Sequence, residues 1–81
     1  MRIVWDEPKR IANLDKHGYD FADLRPSFLD GATVVAARDG RRVAFGVHDG
    51  RVLAVVFQPL GQEAVSIISM RPASIRERRS L

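Results

Sequence analysis

An α+β fold is what this 81-residue sequence predicts, and three observations carry the prediction. Up to residue 31, apolar residues fall at helical spacing between Asp-led starts and Gly stops. Residues 33 to 70 then break into β-branched, apolar segments separated by Asp39-Gly40, Asp49-Gly50 and Pro59-Leu60-Gly61-Gln62. The tail, residues 72–81, is polar and rich in arginine. The order is an N-terminal strand, two helices, an antiparallel β-meander and a short basic C-terminal helix, with helices packed on a curved sheet.

Each element has a local reason. Arg2-Ile3-Val4-Trp5 is a short strand candidate. Asp6-Glu7-Pro8 starts a helix: Asp6 can cap free amides, Glu7 suits the positive end of the dipole, and Pro8 fits the first turn. Ile11, Ala12 and Leu14 are expected to form the stripe that faces a core. Lys16 and His17 occupy the last turn, where cations are favoured, and Gly18 is the left-handed stop. Asp20 is expected to cap a second, shorter helix carrying Phe21, Leu24 and Phe28, with a break at Pro26. That apolar stripe reads far better as core than as a docking groove. Asp39-Gly40 and Asp49-Gly50 are hairpin signals, because both central residues of the favoured turn need positive φ. Val43, Phe45 and Val47 alternate along one strand, whereas the nearly unbroken apolar run 52–58 marks a strand covered on both faces.

Composition excludes several functions. The length is that of one domain, residues 1–81, which buries only about 60% of its unfolded surface. Without cysteine there are no disulfides, no Cys-based zinc site and no thiol catalysis, and His17 and His48 alone cannot build a structural metal site. The apolar runs are too short to span a bilayer, and the opening Met-Arg-Ile-Val-Trp-Asp lacks the apolar core of a signal peptide, so a cytoplasmic protein with no membrane role is expected. The net charge of +3 hides a skew, since eleven of the thirteen cations are Arg. A guanidinium holds phosphate or carboxylate in a fixed fork, so the expected partner is anionic.

No Gly-rich phosphate loop, His-Glu metal motif, nucleophilic Ser elbow or acidic dyad is present. What remains is arginine and one well-placed histidine. His17 at a helix C-terminus can serve proton transfer near neutral pH, but capping of the last carbonyls is the plainer reading of its position. Arg71 ends an apolar strand, where its fork can clamp a phosphate or form an ordinary strand-end ion pair. Arg76, Arg78 and Arg79 around Glu77, and Arg38, Arg41 and Arg42 around the first Asp-Gly turn, are two candidate RNA-binding surfaces; both patterns also occur as plain solvated charge. His48 reads simply as a strand-end residue.

Taken together, these residues resemble a known family. Trp5-Asp6-x-Pro8-Lys9, Asn13 and Lys16-His17-Gly18 followed by Phe21 resemble the opening of BrnT toxins. Ile67-Ile68-Ser69-x-Arg71-x-Ala73 and Arg76-Glu77-Arg78-Arg79 resemble their ending. The resemblance implies a RelE-like fold and a ribonuclease toxin of a bacterial type II toxin–antitoxin system that blocks translation. It also implies a ribbon-helix-helix antitoxin of the BrnA type as partner, two toxins on an antitoxin dimer, and operator DNA bound through that antitoxin. Lys16, His17 and Arg71 fall where the family's proposed active residues stand. No cofactor or metal is implied, since the 2′-hydroxyl of RNA can itself attack the adjacent phosphorus.

The chain departs from the family pattern at Leu60, Ser66 and Pro72, where Arg is usual, and at Leu81, near a usual Tyr. Each lost charge-assisted contact weakens transition-state binding by roughly 1.5–3 kcal/mol. The alternative to an active nuclease is therefore a catalytically weakened homologue that serves as an antitoxin-binding module. A third reading is a toxin of the same fold acting on a protein target such as gyrase.

Overall fold

The first strand leaves little room before the first helix, and that short connection decides much of the architecture. In a computed structural model describing Met1–Leu81, β1 (Arg2–Trp5) is followed after one residue by α1 (Glu7–His17). A 3₁₀ turn (Phe21–Asp23) and α2 (Pro26–Asp30) come next, then β2 (Thr33–Ala36), β3 (Arg42–His48), β4 (Arg51–Leu60), β5 (Ala64–Pro72) and α3 (Ile75–Arg79). The sheet order is β1-β5-β4-β3-β2. β2 to β5 form the expected antiparallel meander, and β1 adds to β5 in parallel, making the sheet mixed. No helix is long and apolar enough to cross a membrane.

Turn chemistry behaves as local sequence dictates. Asp39 and Gly40 take φ of 60° and 74°, Asp49 and Gly50 take 49° and 79°, and each pair reverses the chain between neighbouring strands. Gly18 stops α1 at φ 76°, its N–H donating to the Leu14 carbonyl. Asp20 caps the 3₁₀ turn by accepting the Ala22 N–H at 2.9 Å, and Pro26 opens α2 where the expected second helix breaks. Arg10 donates to both oxygens of Asp20, at 3.1 and 3.2 Å, tying α1 to that turn. The Ala22 N–H first, and Arg10 second, hold the Asp20 carboxyl below its ordinary value.

The core lies on one face of the sheet. Phe21, Leu24 and Phe28 pack on Ala44, Leu53, Val55, Phe57, Val65, Ile67 and Met70. Gly46 is part of this fit: a Cβ there would meet the Phe28 ring at 3.0 Å, closer than side chains pack.

Three expectations are corrected. Ile11 and Leu14 do not face the core; they are 56% and 40% exposed, and the buried residue of α1 is Asn13. Asp6 sits at the helix start, but its carboxylate caps nothing; the Lys9 and Arg10 N–H groups donate to its carbonyl. The run in β4 is not enclosed equally on both faces, since Val52 and Val56 are half-buried while Leu53 and Val55 are fully enclosed. Ala54 is fully buried outside the helix-packed core cluster, in register between Phe45 of β3 and Arg71 of β5.

Asn13 explains the first correction. β1 ends at Trp5, opposite Ile67, so the edge of β5 beyond that point has no strand to pair with. The Asn13 side chain stands in for one. Its Oδ1 accepts the Met70 N–H and its Nδ2 donates to the Met70 carbonyl, both at 3.0 Å, and Nδ2 donates again to the Tyr19 carbonyl at 3.0 Å. A buried backbone pair must be satisfied, and an apolar side chain at that position cannot do it.

Candidate nucleic-acid site

One face of α1 meets β5 at an irregularity. The pairing of β4 with β5 shifts register between Val56 and Phe57, so that Ile68 is passed over between the Ser69 and Ile67 pairings. There, a hollow of about 220 Å³ is lined by Lys9, Ala12, Asn13, Lys16 and His17 of α1 and by Ile68 and Ser69 of β5. Lys9, Lys16 and His17 fall on one side of the helix because residues seven and eight apart return after two turns. His17 is half-buried and Lys16 exposed. The last turn of α1 is closed by the Gly18 N–H, not by the His17 ring. No carboxylate lines the hollow, although Asp6 lies 3.9 Å from the Lys9 ammonium outside it, so Lys16 and His17 make its charge favour an anion.

Arg71 does not line this hollow. It projects from the face of β5 opposite the core, in register with Ala54, and is bound to Glu77 of α3 through both terminal nitrogens at 2.7 and 2.9 Å. The strand-end ion pair is therefore present. A third N–H reaches the Pro72 carbonyl at 3.3 Å. Two of the five guanidinium donors are left for another acceptor. Ser69, which lines the hollow, precedes Arg71 by two residues on the same strand, a separation of about 6.6 Å at the usual strand rise.

Glu77 was legible only as part of a charge run, yet it organises the end of the chain. Its carboxylate takes the Arg71 fork and the Ser74 N–H at 2.8 Å, completing a capping box for α3. The Arg71 hydrogen bond first, and the Ser74 N–H second, lower the Glu77 carboxyl from 4.5 to about 2. Since the folded value lies below the unfolded one, this stabilisation is complete above pH 4.5 and disappears as pH falls through about 2. The pair is partly exposed, so screening reduces its worth to about 1 kcal/mol. Glu77→Gln should therefore lower stability by about that amount at pH 7 and by much less at pH 2, measured by urea unfolding at both pH values. Equal losses at the two pH values would contradict the assignment.

The remaining arginines split into two groups. Arg38, Arg41 and Arg42 are exposed at the β2–β3 turn, with Arg42 beside Phe57. Arg76, Arg78 and Arg79 are exposed on α3, which follows Pro72 at the level of Leu53. Four residues of β4, roughly 13 Å of strand, separate the two levels. The largest hollow, about 700 Å³, lies elsewhere, beside Asp23, Arg25, Ser27, Phe28, Val47, His48 and Asp49. Two carboxylates among these residues make it the poorer place for a phosphate, whatever its size. His48 lies 3.4 Å from Asp49.

Residues 5–77 match the family model of the ribonuclease toxin BrnT of type II toxin–antitoxin systems. The 1.1 Å crystal structure of the Brucella abortus ribonuclease toxin BrnT is similar to this chain, with a TM-score of 0.86 and 51% identity over 91% of this chain and 97% of that one. A comparison with curated proteins found no match. Motif, fold and sequence agree over nearly the whole length, and the chain belongs to the BrnT family of ribonuclease toxins.

Proposed function

We propose that this protein is a metal-independent endoribonuclease that inhibits translation in the bacterial cytoplasm, with its active residues at the α1–β5 junction. The observation that carries the reading is the hollow built from Lys9, Lys16, His17 and Ser69 without a carboxylate. It suits a phosphodiester and the proton transfers around it. The RNA 2′-oxygen attacks the adjacent phosphorus while the bond to the 5′-oxygen breaks, leaving a cyclic phosphate and a 5′-hydroxyl. His17 moves a proton in this exchange and Lys16 offsets the charge developing on the phosphoryl oxygens. Arg71, oriented by Glu77, offers its two remaining donors to the same or the next phosphate. Arg38, Arg41, Arg42, Arg76, Arg78 and Arg79 contact the RNA backbone on either side.

The toxin's partner is a ribbon-helix-helix antitoxin of the BrnA type, with two toxins carried on an antitoxin dimer that also binds operator DNA. A type II toxin implies an antitoxin partner, and binding adds stability to a small folded chain by mass action. The purified protein should cleave RNA in EDTA, and Arg71→Ala should slow cleavage about 100-fold, the usual cost of losing one oriented donor at a reacting phosphate or carbonyl. EDTA-sensitive cleavage would eliminate the mechanism.

One observation favours a second reading, a weakened nuclease that serves as an antitoxin-binding module. Glu77 already occupies both terminal nitrogens of Arg71, and Pro72 stands where a second arginine is usual in the resemblance described above. Expression without antitoxin separates the two: growth arrest relieved by Arg71→Ala supports the enzyme, and harmless expression supports the module.

A further inference from the structure

The face of the sheet opposite the core is apolar across three adjacent strands, around a central Ala54 that is itself fully buried. Strand register places Val35 beside Val43 and Val43 beside Val56, and Val47 beside Val52. Phe45 lies between these rows on the same face, since alternate residues of a strand share a side. The opposite side carries the enclosed Ala44, Leu53 and Val55. Val35 and Val47 are 43% and 67% exposed. Such a patch on a small domain marks a contact surface.

Its border is basic. Arg71 rises from this face and holds Glu77, which brings α3 and its exposed Arg76, Arg78 and Arg79 alongside. A partner with an apolar stripe and acidic flanks complements both features. The backbone of β3 and β4 is already paired on both sides, so no strand can be added over this face. A segment buried there must satisfy its own backbone, which an α-helix does. Three strands span about 10 Å, and a helix with its side chains is about as wide. Aliphatic valines offer bases no stacking platform, which disfavours RNA as the occupant.

We infer that this apolar face docks an amphipathic, acid-flanked helix of the antitoxin, which covers Arg71 as it binds. The inference rests on the antitoxin partnership proposed above and adds the surface and the means of inhibition: the docked helix removes Arg71 from reach of RNA. The apolar rows supply affinity, and the arginine border sets orientation and speeds encounter.

The test uses a ribbon-helix-helix antitoxin of the BrnA type as probe, titrated against the purified toxin by calorimetry. The double variant V35E/V47E places charge on the apolar rows at exposed positions, and should weaken binding about 50-fold or more. The single variant V47E, at the most exposed position, should weaken it about 10-fold with an unchanged unfolding midpoint. R76E/R79E should weaken it about 10-fold and flatten its salt dependence. RNA binding by V35E/V47E should equal wild type. Wild-type affinity for the probe in both valine variants overturns the docking assignment, as does loss of RNA binding with antitoxin binding intact. Failure of the wild-type toxin to bind the probe overturns the partnership beneath it as well.

Discussion

Asn13→Ala is expected to cost about 3 kcal/mol of stability, because it strands a buried backbone N–H and carbonyl at a strand edge with no neighbouring strand. A chain of this length has roughly 4–12 kcal/mol in total, so the variant should lie close to unfolding. The loss is not one of packing. Asn13 supplies both the donor and the acceptor that a neighbouring strand would supply to Met70, and it also binds Tyr19. Asn13→Asp is the informative companion. Its carboxylate can still accept the Met70 N–H but faces the Met70 and Tyr19 carbonyls with no hydrogen to donate. It should be at least as unstable as Asn13→Ala at pH 7 and should recover partly in acid. Urea unfolding of the two variants checks this, and a loss below about 1 kcal/mol for Asn13→Ala would show that the edge of β5 is satisfied some other way.

The second large effect is on activity. His17→Ala should reduce RNA cleavage by about 10²–10⁴-fold, the usual contribution of a positioned acid or base. Its unfolding midpoint should stay within a degree or two of wild type, because the ring closes no cap and belongs to no core cluster. Lys16→Ala should show a smaller loss, about tenfold, as expected of a neighbouring charge that takes no proton. Single-turnover cleavage of a short RNA, beside thermal unfolding of the same samples, separates chemistry from stability. Wild-type cleavage by His17→Ala would move the active residues away from α1.

These two variants concern neighbouring positions on one helix with opposite consequences. Asn13 faces β5 and holds the helix against it; His17, one turn on, stands at the end of the same side, where the hollow opens. The irregular pairing of β5 near Ile68 brings Ser69 to the rim of that hollow and, two residues later, sends Arg71 out on the face opposite the core. A helix docked on that face would reach Arg71 directly. Inhibition through Arg71 requires no rearrangement of the core.

Where structure depends on neighbours in sequence, it was legible in advance. The Asp39-Gly40 and Asp49-Gly50 turns, the Gly18 stop, the Asp20 cap and the break at Pro26 each follow from the φ preference or hydrogen bonding of a few adjacent residues. Short turns then dictated the antiparallel order of β2 to β5. Lys16 and His17 were identifiable for the same reason, as the last turn of a helix whose stop was plain. Tertiary structure alone decided which side of α1 turns inward. Apolar periodicity pointed to Ile11 and Leu14, but the 57-residue separation between Asn13 and Met70 hides the unpaired strand edge that selects the amide. The parallel addition of β1 to β5, the Glu77 partner of Arg71 and the separation of the arginines into two groups have the same origin. Turns and caps are settled within a few residues of backbone, whereas strand edges and ion pairs are settled by what a distant segment leaves unsatisfied.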